Sequence, residues 1–310
     1  MSAHHLPPPS FRRRKRGNAA AWLALPEALL IVAWSSGFVG IRFAVDFAPV
    51  FLVVFWRCII VVMLLLPFSL REIARAAPVT IAIHAGIGLL AMAGYLAGVS
   101  KGIEYGVPAG LAALIADLLP IGTALLSMLF LRHFPGGRTW LGLGLGFAGV
   151  ALATGGAVSW GHAPPWSYTL PLMGMMSLAL ATLWQKRLPP TAAMSLPAGL
   201  TIQCVVSALA FAGLAGAEGS LLPENLSLGF TIGVLWTALF STLAGYGLYW
   251  FCLRRTSPMR VASLLFLSPI VTLCWAWAMF GDPLSWLMLS GAGVSGAGLW
   301  LIHRHAADRR

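Results

Sequence analysis

The chain has 310 residues, of which 59% are hydrophobic and 9% charged, with a mean hydropathy of +0.84 and a formal net charge of +11. A soluble domain carries about one quarter charged residues, so water is excluded as the solvent of most of this chain, which reads as one membrane domain with no soluble appendage. The positive charge lies at the ends of apolar runs rather than in one block, which points to a membrane surface and away from nucleic acid.

In chain order, Arg12-Arg13-Arg14-Lys15-Arg16 precede the first apolar run. That run continues too long, without an A-x-A-like site, for a cleaved leader, and reads as a retained first helix. Apolar runs long enough to cross about 30 Å of hydrocarbon predict helices near 22 to 41, 49 to 69, 79 to 101, 107 to 131 and 138 to 156. Five more follow near 167 to 187, 196 to 216, 228 to 252, 258 to 280 and 284 to 303. Ten crossings make the loop charges alternate. One side gathers every Lys and Arg except Arg42, Arg57 and Lys101; the other holds Arg42 and Lys101 with Asp46, Glu104, Glu218, Glu224 and Asp282. By the positive-inside rule both termini are cytoplasmic. Cys58, Cys204, Cys252 and Cys274 lie singly in apolar segments, without disulfide or zinc spacing, and read as packing residues.

The two halves resemble each other. Leu25-Pro26 recurs as Leu170-Pro171, Arg57-Cys58 as Gln203-Cys204, Gly94-Tyr95 as Gly245-Tyr246 and Pro120 as Pro269, at offsets of 145, 146, 151 and 149. A repeat of five helices, an odd number, starts its second copy on the other side of the membrane. The expected fold is therefore an all-α integral membrane protein of ten transmembrane helices in two inverted-topology five-helix repeats. A basic cytoplasmic tail would occupy 1–19, the repeats 20–157 and 158–303, and a second cytoplasmic tail 304–310. This architecture is that of a secondary transporter.

Gly144-x-Gly146-x-x-Gly149 and Gly291-x-Gly293-x-x-Gly296 spell a dinucleotide fingerprint, but both lie inside membrane-length apolar runs with no preceding strand. Glycines there let helices approach closely. No phosphate loop, HExxH, GxSxG or catalytic carboxylate pair occurs, so neither ATP drive nor an enzyme is expected. No cofactor or metal is expected. The partners are a small solute and the bilayer, with no nucleic acid; the oligomeric state is open, and a monomer fits.

A charge at the bilayer centre costs roughly 2.5 to 3.5 kcal/mol on insertion scales, so Glu27, Arg57 and Asp117 stand out. At 1.5 Å per residue, Arg57 and Asp117 lie roughly 12 and 15 Å below the same surface. Arg57 is expected either to bind an anionic group such as a carboxylate or to neutralise Asp117. Glu27, beside Pro26, and His84 are the other candidates for coupling or an ion pair. Pro120 and Pro269, inside helices 4 and 9, are expected to kink them and act as gating hinges. Around these positions lie Trp34, Ser35, Tyr95, Tyr246 and Trp250, a lining suited to an amphipathic or aromatic solute.

These residues carry a resemblance. Ala33-Trp34-Ser35-Ser36, Phe55-Trp56-Arg57, Leu119-Pro120, Ser268-Pro269 and the glycine-rich fifth and tenth helices resemble the EamA-type drug/metabolite transporter superfamily, especially its YddG-like amino-acid exporters, over about residues 20 to 303. The resemblance implies an inverted five-plus-five fold, a central cavity between the halves and export by alternating access from the inner membrane. The family's Trp and Arg positions map onto Trp34 and Arg57. Where many members carry Gly-Glu before helices 5 and 10, this chain has Arg132-His133 and Gly281-Asp282. Export of amino acids, aromatic ones included, is the leading expectation. A cationic-compound exporter, which would use Glu27 or Asp117, and a non-transporting scaffold or sensor are the alternatives.

Overall fold

A computed structural model describes residues 14–132, 134–158, 163–223, 226–281 and 286–308. The beginning of the expected N-terminal tail, His133, Glu224, Asp282, Arg309 and Arg310 lie outside the described residues. The described residues form helices and short connections, with no β-strand.

Helix α1 spans Arg14–Ala44, α2 Val50–Arg75, α3 Pro78–Glu104, α4 Ala109–Phe130 and α5 Gly137–Val158. Helix α6 spans Thr169–Lys186, α7 Leu196–Glu218, α8 Leu228–Arg255, α9 Pro258–Phe280 and α10 Trp286–Asp308. Among the described residues, seven helices are long and apolar enough to cross a membrane: α2, α3, α4, α7, α8, α9 and, over Leu25–Ala44, α1. Helix α1 begins at Arg14, inside the segment expected to be a tail. Nothing between Arg14 and Leu25 stops a helix, and Ala19-Ala20-Ala21 favours one. For the same reason α10 runs past its expected end to Asp308.

Four helices are irregular. The backbone widens to a π-helix over Leu89–Gly94 in α3 and over Thr237–Tyr246 in α8. Helix α4 stops at Ala116 and restarts at Leu119, and α9 passes through a 3₁₀ turn at Leu265–Leu267 before restarting at Ser268. These breaks replace the kinks expected at Pro120 and Pro269. Each proline lies in the first turn of a restarted helix, where its missing N–H satisfies no intrahelical acceptor and its fixed φ is favourable.

The packing has an internal symmetry. Exchanging α1 with α6, α2 with α7, α3 with α8, α4 with α9 and α5 with α10 maps the packed pairs onto one another. Thus α1 against α8 matches α6 against α3, α1 against α9 matches α6 against α4, and α3 against α7 matches α8 against α2. The pairs α2–α7, α4–α9 and α5–α10 map onto themselves. Glycines set the closest approaches. A Cβ on Gly98 would lie 2.4 Å from the Leu170 carbonyl, and one on Gly298 would lie 2.6 Å from both the Gly142 carbonyl and the Gly146 amide. The two GxGxxG runs thus lie on helices, and Gly149 meets Ser295 of the partner helix, whereas Gly144, Gly293 and Gly296 face open space.

One position departs from the symmetry at a cost. Arg132 and Gly281 end equivalent helices in the left-handed region, at φ 50° and 74°. Only glycine adopts that conformation without a Cβ clash. Arg132→Gly is expected to raise stability by about 1 kcal/mol, read as a higher unfolding midpoint of the purified protein.

Candidate functional site

The irregular helices position the polar centre. On α8, inside the widened turn, the Thr242 side chain donates through Oγ1 to the Thr237 carbonyl five residues back at 3.1 Å. That turn presents Ser241 and Thr242 to α2. Arg57, 1% exposed, donates through Nε to Thr242 Oγ1 and through Nη2 to Ser241 Oγ at 3.0 Å. On α3, the widened turn frees carbonyls for cross-helix donors. The Tyr246 hydroxyl donates to Ala91 O and the Ser177 hydroxyl to Leu90 O, both at 2.7 Å. Gly37 lets α1 come against this centre, since a Cβ there would lie 2.4 Å from Ser241 Oγ.

Trp34 of α1 is the hub of the aromatic wall. Its ring lies 5.6 Å from Tyr95, 5.0 Å from Tyr246 and 5.1 Å from Tyr249, centroid to centroid. Trp34, Arg57, Tyr95, Ser100, Ser241 and Tyr246, with Gly37 and the apolar side chains of Phe38, Ile41, Leu96 and Val99, line a cavity of about 20 Å³. That volume holds about one water molecule. It has a buried cation at one wall and aromatic faces on the others.

Arg57 and Asp117 do not form the pair that their shared depth suggested. Among the described residues the ion pairs are Arg42–Asp46, Lys101–Glu104, Lys101–Glu218 and Arg260–Glu27. Arg57 is held by hydroxyls, and neither carboxyl oxygen of Asp117 makes a well-formed hydrogen bond. The guanidinium therefore carries an uncompensated charge toward the cavity, with two of its five N–H donors taken by hydroxyls.

The profile of the EamA-like transporter family matches residues 21–155 and again residues 165–304. The chain belongs to the EamA-like transporter family. The transporter is 28% identical over 268 residues, 84% of each chain, to an uncharacterized inner membrane transporter, YedA, of Escherichia coli. It is 26% identical over 279 residues to a probable amino-acid metabolite efflux pump of Salmonella typhimurium, covering 88% of this chain and 92% of that one. A solved crystal structure of another protein superposes with a TM-score of 0.74 over 94% of this chain and 99% of that one. At 16% identity that likeness shows the fold alone. The protein is thus a multi-pass inner-membrane transporter rather than an enzyme.

Within the transporter, the other residues singled out in the sequence lie away from the cavity. Ser35 does not line it; its hydroxyl donates to Ile31 O at 2.6 Å and to Ser268 O at 3.1 Å, tying α1 to the break in α9. Trp250 is also outside it, donating through Nε1 to Gln203 Oε1 at 2.9 Å. Glu27 accepts from Arg260 Nε and Nη2 at 2.9 and 3.1 Å, so it joins the start of the apolar span Leu25–Ala44 of α1 to the beginning of α9. His84 bonds the Ala192 carbonyl through Nε2 at 3.1 Å and packs on Gly199. Cys58, Cys204 and Cys252 are buried free thiols, and Cys274 is exposed.

Five residues that sequence reasoning passed over complete the centre: Gly37, Ser100, Ser241, Thr242 and Tyr249. Tyr249, three residues after Tyr246, shares its helix face, and its hydroxyl pairs with Thr182 at 2.6 Å. Ser241→Ala with Thr242→Val is expected to release the Arg57 fork. The loss of two hydrogen bonds to a buried charged group, about 1.5 kcal/mol or more each, predicts a lowered unfolding midpoint together with a KM for transport raised at least about tenfold, read from thermal unfolding and concentration-dependent flux of the same preparation.

Proposed function

We propose that this transporter exports small amphipathic metabolites, amino acids including aromatic ones, across the cytoplasmic membrane by alternating access. The observation that carries the reading is the Arg57 guanidinium, buried and without a carboxylate partner, set opposite Trp34, Tyr95 and Tyr246 around one cavity. A guanidinium suits a substrate carboxylate by its fork geometry. The aromatic faces suit the apolar part of the same molecule. A relative named as an amino-acid metabolite efflux pump supports this substrate class.

In this reading ten helices cross the bilayer as two inverted five-helix repeats, with both termini cytoplasmic. The alternating loop charges and the pairing of contacts across the two halves support it. Side-chain bonds also join the chain ends that such alternation brings together. Glu72 accepts from the Ser195 amide and hydroxyl on the basic side, and Lys101 joins Glu104 and Glu218 on the other. A cavity of about 20 Å³ is far smaller than the roughly 300 Å³ of a small ligand pocket, so substrate entry requires the halves to part. The helix restarts at Pro120 and Pro269 supply places for that motion.

The test is uptake of radiolabelled amino acids into proteoliposomes of the purified protein. Saturable uptake, competed by aromatic amino acids, is expected. Absence of saturable uptake for every amino acid, from protein shown to be folded, would sink the reading and leave the scaffold. The unpartnered carboxylate of Asp117 favours a second reading, export of cationic compounds. Competition by a lipophilic cation stronger than by any amino acid would select it.

A further inference from the structure

Asp117 is 1% exposed and closes the first segment of α4, Ala109–Ala116. Neither of its oxygens makes a well-formed hydrogen bond, and neither do two hydroxyls of α9, Ser268 Oγ, which lies toward the carboxylate, and Thr272 Oγ1, each 0% exposed. Buried polar atoms of a native structure are nearly always satisfied, so several at one place call for an occupant. They share a place in the fold, because Ala109–Ala116 packs along Ser268–Phe280. Gly110 meets Leu273 and the Ser268 hydroxyl faces Asp117, so the two segments run antiparallel. Thr272, one turn from Ser268 on the same face, then lies beside the turn that precedes Asp117.

Among the described residues no cation pairs with this carboxylate. Arg57 is committed to Ser241 and Thr242 on α8. Of the helices packed against α4, α1 and α9 bring Glu27 and Arg260, which pair with each other, and α3 brings the Tyr95 phenol. Helix α6 brings Lys186, bonded to the Leu253 and Thr256 carbonyls, and α5 brings Arg138 at its beginning.

We propose that Asp117, with the hydroxyls of Ser268 and Thr272, binds a small monovalent cation, a proton or Na⁺, where the broken helices α4 and α9 cross. A carboxylate and two hydroxyls supply the oxygen atoms that such a cation takes. Broken membrane helices place such groups at mid-depth, where motion of the segments makes or unmakes the site. Occupancy by the cation therefore favours the crossing as it stands here, with α4 and α9 closed on each other. The site stands apart from the amino-acid reading and is tested without any amino acid, so either can fail alone.

The experiment is the thermal unfolding midpoint of the purified full-length chain in detergent, followed by intrinsic fluorescence. Na⁺ is titrated against N-methylglucamine at pH 8, and separately pH is lowered from 8.5 to 5.5 without Na⁺. The expected result is a saturable rise of about 5 °C in one or both arms that Asp117→Asn removes. A rise with Na⁺ assigns Na⁺; a rise confined to the acid arm assigns the proton. Thr272→Val, nearly isosteric, is expected to weaken the Na⁺ effect about tenfold or, where the proton is the occupant, to shift the acid transition. A wild-type dependence that Asp117→Asn leaves intact would overturn the proposal. If Asp117→Asn does not fold, unchanged behaviour of both Thr272→Val and Ser268→Ala would overturn it as well.

Discussion

Arg57→Met is expected to abolish saturable amino-acid flux while leaving the protein as stable as wild type or more so. Truncating one partner of a buried charge interaction costs about 2 to 5 kcal/mol, and each 1.4 kcal/mol is tenfold, so flux at low substrate should fall about 30-fold or more. The opposite effect on stability follows from the same burial. An uncompensated guanidinium, 1% exposed, is costly to desolvate, and an apolar side chain of similar length removes that cost at a gain of up to about 4 kcal/mol. Of the hydroxyls left behind, Thr242 already donates to the Thr237 carbonyl and Ser241 lines the cavity. Arg57→Lys keeps the charge but not the fork and should retain intermediate flux. Uptake into proteoliposomes and the unfolding midpoint, measured on the same preparations, check both halves of the prediction. Equal flux in the wild type and Arg57→Met would remove Arg57 from the substrate path.

Gly298→Leu is expected to be the most damaging single substitution between α5 and α10. Its Cβ would fall 2.6 Å from the Gly142 carbonyl and the Gly146 amide, backbone atoms that move only with the whole helix. Helix association in lipid rests on such close packing, because there is no hydrophobic drive to replace it. A loss of more than about 3 kcal/mol, beyond the usual range of overpacking, should appear as absent monodisperse protein on size exclusion. Gly293→Leu on the same helix is the control. Nothing lies within 4 Å of its added Cβ, and leucine is the better helix former by up to about 1 kcal/mol. Equal behaviour of the two variants would show that the α5–α10 contact is not close in the membrane.

The helices were legible because hydrocarbon demands long apolar runs whatever the tertiary packing, and charges collect at their ends. The meeting of Trp34, Arg57, Tyr95 and Tyr246 was legible in part, through polar and aromatic residues at related positions of two similar halves. The π-helical turns were not, since a shift of hydrogen bonding by one residue changes no side chain. Ser241 and Thr242 were hidden for a related reason. Hydroxyls in apolar helices commonly bond their own preceding carbonyls, as Ser69, Thr201 and Ser207 do here. Nothing in their spacing marks the pair that turns toward another helix. Arg57 and Asp117 were matched by depth, but depth leaves the direction around the helix axis free. One side chain turns to α8 and the other to α9. The bond between Glu27 and Arg260, which are 233 positions apart, joins the two halves and has no local signal.

The two-fold relation is broken at its most consequential position. Arg57 on α2 corresponds to Gln203 on α7, where the amide accepts from Trp250 and carries no charge. Two halves of identical composition would make the inward- and outward-facing states mirror images of equal energy. With Arg57 on one half as the mid-helix cation among the described residues, two such states would differ in how deep that charge lies in the membrane field, and 100 mV is worth about 2.3 kcal/mol per charge carried fully across. In the proposed inverted arrangement, alternation that moved Arg57 through the membrane field would make the protein an electrical rectifier, with its resting orientation biased by the membrane potential and shifted by the charge of whatever it carries.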